Sequence, residues 1–274
     1  MSRLHERRLA LIGAGNMGFA LLEGWAGQGL QGDAVTIIEP NPSTQLIALC
    51  QNTGFELYAE PKACIPSDAV VLAIKPQMLD ESVNAAGYFL HSGALLISIL
   101  AGKSIKDLSA RFPQISSVVR AMPNTPAAVG RGMTGIYASD ATSAKQRDLT
   151  ESLLKPISQV EWLSEEKQID MLTAISGSGP AYVFYLVETL ASAGVKLGLS
   201  AALSQKLARA TIEGAGELLH QMPDVTAEDL RKRVTSPGGT TAAALAILMK
   251  DDGLAAILEQ AVEAARHRAE ELAG

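Results

Sequence analysis

Short apolar runs alternate with helical patterns along the first part of the chain and then stop. The runs are Leu9–Ile12, Val35–Ile38, Phe55–Tyr58, Ala69–Ile74, Ala94–Ile99, Ser117–Ala121, Thr134–Ala138 and Val160–Leu163. Most are apolar at successive positions rather than at alternate ones, as strands covered by helices on both faces require. Between them lie helix signals: Asn41-Pro42 offers an N-cap followed by proline at the first helical position, and Gly54 ends that helix. Alternating β and α units predict an α/β fold, a doubly wound and mostly parallel sheet over residues 1–163.

From Ser164 onward the pattern is helical only. Ser176-Gly177-Ser178-Gly179-Pro180 breaks the first helix, and Ala181 to Leu197 then carries charge only at Glu188 and Lys196. A helix apolar nearly all round has to be buried nearly all round. A C-terminal helical domain over 164–274 has little interior in which to bury it. A second copy of the same domain solves the problem, which predicts an obligate dimer; packing against the sheet domain is the alternative. Ala201–Gln221, Thr226–Val234 with Thr226 as N-cap, Thr241–Lys250 and Leu254–Leu272 complete the set. The charges on the last of these, Glu259, Glu263, Arg266, Arg268, Glu270 and Glu271, read as a solvated face.

Composition narrows the function classes. Of 274 residues 47% are hydrophobic but only 4% aromatic, so the core is built from Ala, Leu, Ile and Val. A net charge of −6 with no basic stripe argues against a nucleic-acid partner. The basic start at Arg7-Arg8 precedes an apolar run too short for a signal peptide, and no stretch is long enough to span a bilayer. The expectation is a soluble cytoplasmic protein without a membrane partner. Cys50 and Cys64 have no paired spacing and no His cluster nearby, so neither a metal site nor a disulfide framework is expected, only buried free thiols. His5, His91, His220 and His267 have no evident partners and read as surface residues rather than catalysts.

The chemistry starts at Gly13-Ala14-Gly15-Asn16-Met17-Gly18, a GxGxxG that follows the first strand and opens a helix. In that context it is a dinucleotide fingerprint. Gly13 permits the tight turn, Gly15 lets a pyrophosphate approach the backbone, and Gly18 allows close helix–strand packing. A Rossmann-type domain is thus predicted. Glu39 ends the second strand roughly 20 residues later, where an acid accepts hydrogen bonds from the adenosine ribose of NAD and repels the 2′-phosphate of NADP. No Lys or Arg occurs in Pro40–Thr44. The residues lean to NADH or to dual use, unless Glu39 simply faces solvent. Two further turns leave strand ends, where open α/β sheets bind ligands. Ala73-Ile74-Lys75-Pro76-Gln77 offers a lysine that either contacts the cofactor or is an ordinary surface residue. Arg120-Ala121-Met122-Pro123-Asn124-Thr125-Pro126 holds Asn124 and Thr125 between prolines, ready for a nicotinamide.

Near the other end, Val234-Thr235-Ser236-Pro237-Gly238-Gly239-Thr240-Thr241 is an uncharged turn feeding a strongly helix-forming stretch. Backbone N–H groups at a helix start form a ready anion site. In a chain with a dinucleotide fingerprint, this turn is the best candidate for a small carboxylate substrate.

Taken in order, Gly13–Gly18, Lys75-Pro76, Arg120–Pro126, Ser176–Ala181 and Thr235–Thr241 closely resemble the pyrroline-5-carboxylate reductases over essentially the whole chain. The last two motifs are the specific ones. The resemblance implies reduction of the cyclic imine 1-pyrroline-5-carboxylate to L-proline by NADPH or NADH, the last step of proline synthesis. It also implies a helical domain interlocked as a homodimer, often assembled into a decamer. Members mostly prefer NADPH and tend to carry Ser, Asn or Arg where this chain has Glu39-Pro40. The amides around Ser236, Gly238 and Gly239 are implied to hold the carboxylate. The hydroxyl of Thr240 or Thr241, with Thr241 favoured, is implied to face the imine nitrogen. Ser176 and Ser178 are implied to help close the pocket.

A 3-hydroxyacid dehydrogenase would share the two-domain plan but needs a base; related families resemble one another in a Lys and an Asn on the first long helix of the second domain. Pro180-Ala181-Tyr182-Val183-Phe184-Tyr185 has neither. A dinucleotide-sensing regulatory protein would not need the Ser236–Thr241 turn.

Overall fold

The computed structural model describes residues 4–62 and 66–273. Cys64 lies outside the described residues. The strands are β1 (Leu9–Ile12), β2 (Val35–Ile38), β3 (Glu56–Tyr58), β4 (Ala69–Leu72), β5 (Leu95–Ser98), β6 (Ser117–Met122), β7 (Gly132–Ala138) and β8 (Ser158–Trp162). Each overlaps a run anticipated from the sequence, with β7 and β8 each starting two residues earlier. Their ends differ where the chain leaves the sheet: β4 stops at Leu72, freeing Ala73–Lys75 to form a turn. The helices up to the last strand are α1 (Asn16–Gly27), α2 (Thr44–Thr53), α3 (Leu79–Gly87), α4 (Ile105–Arg111) and α5 (Ala144–Leu154).

All eight strands join one sheet in the order β3-β2-β1-β4-β5-β6-β7-β8. Every neighbouring pair is parallel except β6 and β7. The side-chain period of two explains the continuous apolar runs. Leu9, Leu11, Val35, Ile37, Val71 and Ile97 face one buried cluster with Leu21, Leu22 and Trp25 of α1. Ala10, Ile12, Ile38, Val70, Leu72 and Leu96 face the other, with Leu79, Leu108 and Phe112. Trp25 is fully buried and its indole N–H donates to the Leu153 carbonyl at 2.8 Å, which satisfies the one polar group it brings into the core. Cys50 is a buried free thiol, and burial pushes it above its ordinary range.

One helix start differs from the sequence reading. Ser43, not Asn41, caps α2: its Oγ accepts from Leu46 N at 3.1 Å. Asn41 is held outside the helix because its N–H donates to the Glu39 carboxylate at 3.0 Å. Gly54 ends α2 as expected, at φ +77°, where a side chain would be strained.

The remaining helices are α6 (Gln168–Leu172), α7 (Gly179–Lys196), α8 (Ala201–Gln221), α9 (Ala227–Arg233), α10 (Thr240–Leu248) and α11 (Leu254–Ala273). A π turn, Thr173–Gly177, follows α6. The chain divides into two compact units: one runs to Gly177 and includes the chain from Arg266 onward, and the other is Ser178–Ala265. The change of sequence pattern at Ser164 therefore precedes the change of packing. α6 and its π turn lie against the sheet: a Cβ on Gly135 of β7 would collide with Leu172. Within Ser178–Ala265 the buried residues are Ala191, Ser204 and Ala208, all small, while Val183, Phe184, Tyr185, Leu186 and Leu190 of α7 are exposed.

Candidate active site

β1 lies between β2 and β4, with Ile12 opposite both Ile38 and Leu72. The parallel ladder continues one step beyond: Gly13 N donates to Ile38 O at 2.9 Å, and Ala73 N donates to Ile12 O at 2.8 Å. Gly13, Glu39 and Ala73 thus emerge side by side at the carboxyl edge of the sheet, where the strand order reverses.

The three glycines of the turn differ in what they are for. Gly13 has φ +87°, and a Cβ there would sit 2.7 Å from the Ala73 carbonyl. A Cβ on Gly18 would sit 2.6 Å from the Gly13 carbonyl. Both are required by the protein's own packing. A Cβ on Gly15 would meet nothing within 4 Å. The space before Gly15 is open, beside a helix start that has no acidic residue and no side-chain cap. The first intrahelical donor to Gly15 O is Phe19 N, so the N–H groups of Asn16, Met17 and Gly18 have no earlier carbonyl in the helix. These features fit a pyrophosphate.

Glu39 is half-buried and does not merely face solvent. Its Oε2 accepts from Ala14 N at 2.8 Å, and Oε1 accepts from Asn41 N. A cleft of about 450 Å³ beside it is lined by Gly13, Gly15, Glu39, Lys75, Glu60 and Glu81, among others. A second hollow of about 640 Å³ is bordered by Gly15, Asn16, Met17, Glu39 and Thr125. Lys75 is exposed on the cleft, and its extended backbone is what the following Pro76 demands; Pro76 opens a short 3-10 turn.

Asn124 and Thr125 diverge. Thr125 borders the hollow at the glycine turn. The Asn124 carboxamide is committed inward: Nδ2 donates to Ser176 O and Ser176 Oγ, both at 3.1 Å, and Oδ1 accepts from Met133 N at 2.8 Å. Only the main chain around Asn124 is therefore left to offer a nicotinamide.

Arg120 carries a role that the sequence reading did not assign. It is 4% exposed, and its Nη1 donates to Glu166 at 2.9 Å. The same Glu166 oxygen accepts from Ile105 N at 2.7 Å. Arg120 thus ties β6 to the segment before α6 and to the start of α4. Nearby Asp170 is pushed above the ordinary carboxylate range by burial, with the Arg120 charge opposing. The available signal was an arginine inside a strand whose only other polar residue is Ser117 at its start.

In the helical unit, the Thr235–Thr241 turn is built as its composition requires. Gly238 has φ +70°, and a Cβ on Gly239 would lie 2.5 Å from Ser236 Oγ. Gly239 N donates to Ser236 O at 3.0 Å. Gly239 is the N-cap of α10 and has no side chain with which to cap it. The first intrahelical donor to Gly239 is Ala243 N, so the amides of Thr240, Thr241 and Ala242 open the helix without earlier helical acceptors. Ser236 and Thr240 are exposed and Thr241 is half-buried. Ser178 directly precedes α7, where it makes no side-chain cap. Among the described residues no group of three or more His, Cys, Asp or Glu is placed to hold a metal ion. No helix among them is long and apolar enough to cross a membrane.

The family described as pyrroline-5-carboxylate reductase dimerisation matches residues 166–272, and that of the coenzyme F420-dependent NADP oxidoreductases matches residues 8–102. The pyrroline-5-carboxylate reductase of Pseudomonas aeruginosa is 38% identical, with 97% of each chain covered. That of Haemophilus influenzae is 34% identical, with 98% of each covered. Among solved structures, a pyrroline-5-carboxylate reductase from Coxiella burnetii superposes with a TM-score of 0.87 at 31% identity, covering 98% of this chain and 99% of its own. A Plasmodium falciparum pyrroline carboxylate reductase with NADP bound gives 0.79 at 30%, again covering 98% and 99%. With both parts of the chain matched in one continuous relationship, the protein belongs to the pyrroline-5-carboxylate reductase family.

Proposed function

We infer that the chain reduces 1-pyrroline-5-carboxylate to L-proline with a reduced nicotinamide dinucleotide, and that its residues divide the work as follows. Gly13, Gly15, Asn16, Met17 and Gly18 hold the pyrophosphate, with Ala73, Lys75, Pro76, Thr125 and the main chain at Asn124 along the rest of the cofactor. The Ser236–Gly239 turn holds the substrate carboxylate: the Gly239 N–H closes the turn on Ser236 O, so Ser236 and Gly238 and the amides that open α10 after Gly239 do the holding. Ser176 and Ser178 help enclose it. The Thr241 hydroxyl, or that of Thr240, faces the ring nitrogen. The observation that carries the substrate assignment is the bare Gly238–Gly239 turn opening α10, which leaves amides for an anion.

The bound cofactor supplies the hydride. A protonated cyclic imine already accepts hydride readily, so the protein needs orientation more than acid–base machinery. The turn fixes the carboxylate end of the ring, and the threonine hydroxyl holds the nitrogen. The start of α7, Pro180–Tyr185, has no Lys or Asn to serve as the base of an alcohol dehydrogenase. The helical unit forms a homodimer, and further assembly into a decamer is the expected higher state.

On coenzyme, the acids Glu39, Glu60 and Glu81 around the cleft oppose a 2′-phosphate, with Lys75 the cation among its lining residues. That supports NADH over NADPH. Purified protein, given pyrroline-5-carboxylate, should oxidise both coenzymes and favour NADH. Glu39→Ser should move the NADH/NADPH ratio of kcat/KM toward NADPH by on the order of tenfold, the effect of losing one charge-assisted contact. An unchanged ratio removes Glu39 from coenzyme choice. No oxidation with either coenzyme overturns the reaction itself.

A further inference from the structure

We propose that Asn124 is a positioning residue whose carboxamide fixes Ser176 for the substrate and does not touch the cofactor; this rests on the reading of Ser176 given above. The π turn at Thr173–Gly177 leaves a specific defect. The Ser176 carbonyl would ordinarily accept the N–H of residue 180, but residue 180 is proline and has none. The next N–H, that of Ala181, donates to Ser178 O at 3.0 Å. Asn124 Nδ2 supplies the missing donor at 3.1 Å.

The same amino group donates a second bond to Ser176 Oγ, also at 3.1 Å. That oxygen is therefore an acceptor within the protein, and its own hydrogen remains to donate outward, which is the polarity a carboxylate requires. The orientation of the carboxamide is not arbitrary. Met133 N donates to Oδ1 at 2.8 Å, which settles which end is oxygen and directs the amino group at Ser176. One side chain thus bridges three segments: the loop that presents Thr125 to the glycine turn, the start of β7, and the π turn.

Asn124→Asp tests this with little change of shape. It keeps the Met133 bond and replaces both donors to Ser176 by an acceptor. Amide hydrogen exchange over residues 173–178 of the full-length protein should quicken by about tenfold, as expected for losing a half-buried hydrogen bond. KM for pyrroline-5-carboxylate should rise by about as much. Coenzyme Kd, read by fluorescence titration without substrate, should stay within about twofold, because no cofactor contact is removed. Asn124→Ala serves as the second variant if the carboxylate prevents folding. Unchanged exchange overturns the clip, and so does a weakened coenzyme Kd with KM intact. Quickened exchange with KM unaltered in both Asn124→Asp and Ser176→Ala overturns the substrate role of Ser176, leaving the bond structural. Absence of turnover in the unaltered protein is the separate failure of the reaction assignment.

Discussion

At the scale of single residues, the glycine turn separates structural from functional necessity. Gly15 has an ordinary φ of −63° and open space at its Cβ, so Gly15→Ala should fold with little loss of stability. In the proposed function the same methyl would occupy the pyrophosphate approach. Coenzyme KM should rise about tenfold or more while the melting temperature stays within a degree or two, the signature of a lost binding contact rather than of strain. Gly18→Ala should do the reverse, since its Cβ meets the Gly13 carbonyl at 2.6 Å. On the proposed role of Thr241, Thr241→Ala should lower kcat by on the order of tenfold to a hundredfold, without weakening coenzyme binding. Stopped-flow and equilibrium titration would separate the two. The positions of the glycine turns and of Glu39 were legible because spacing from a strand end or a helix start places them, whereas the roles of Thr240 and Thr241 came only from the family resemblance. The bonds of Asn124 to Ser176 were not, because the partners are 52 residues apart and only the folded chain shows which polar groups lack a donor.

At the scale of elements, the strands were readable because two buried faces leave no polar position, and the long helices because their periodicity is sustained. Helix starts were less so. Asn41-Pro42 is a good local signal, yet the Glu39 carboxylate captures the Asn41 N–H and the cap passes to Ser43. α4 shows a cap that does act: Ser104 and Asp107 form a reciprocal capping box. Ser104→Ala should destabilise by about 1 kcal/mol in urea unfolding at neutral pH. The Ser104 hydroxyl beside Asp107 holds that carboxyl below its usual range. A depressed folded pKa contributes stability above the unfolded value, about 3.9, and that contribution is lost as pH falls through the folded value. The Ser104→Ala penalty should therefore shrink below about pH 4; a penalty independent of pH would show that Asp107 is not part of the cap.

At the scale of the whole molecule, the helical unit is the informative part. Ala191, Ser204 and Ala208 are its buried residues, which is too small an interior to stabilise five helical segments alone. Phe184 is 62% exposed and Tyr185 66%, on a helix without a charge between Ala181 and Val187. A dimerisation domain is matched over this same stretch. Light scattering at low micromolar concentration should give at least a dimer. Phe184→Glu should lower the mass toward a monomer or abolish folding, because a carboxylate in a dry interface is not solvated. An unaltered mass would place Phe184 outside the interface.

The sequence by itself determined the sheet, the dinucleotide turn, the two glycine-rich loops and the need of one helix for a partner. Each of these is written in local order: the alternation of β and α patterns, the spacing of glycines after a strand, and apolar content beyond what one domain can cover. Tertiary structure alone decided the strand order, the inward commitment of Asn124 and the Arg120–Glu166 tie. It also decided that α6 packs with the sheet although its sequence reads with the helices. These depend on which hydrogen-bonding groups and which small residues meet across tens of residues of chain, and periodicity carries no record of that.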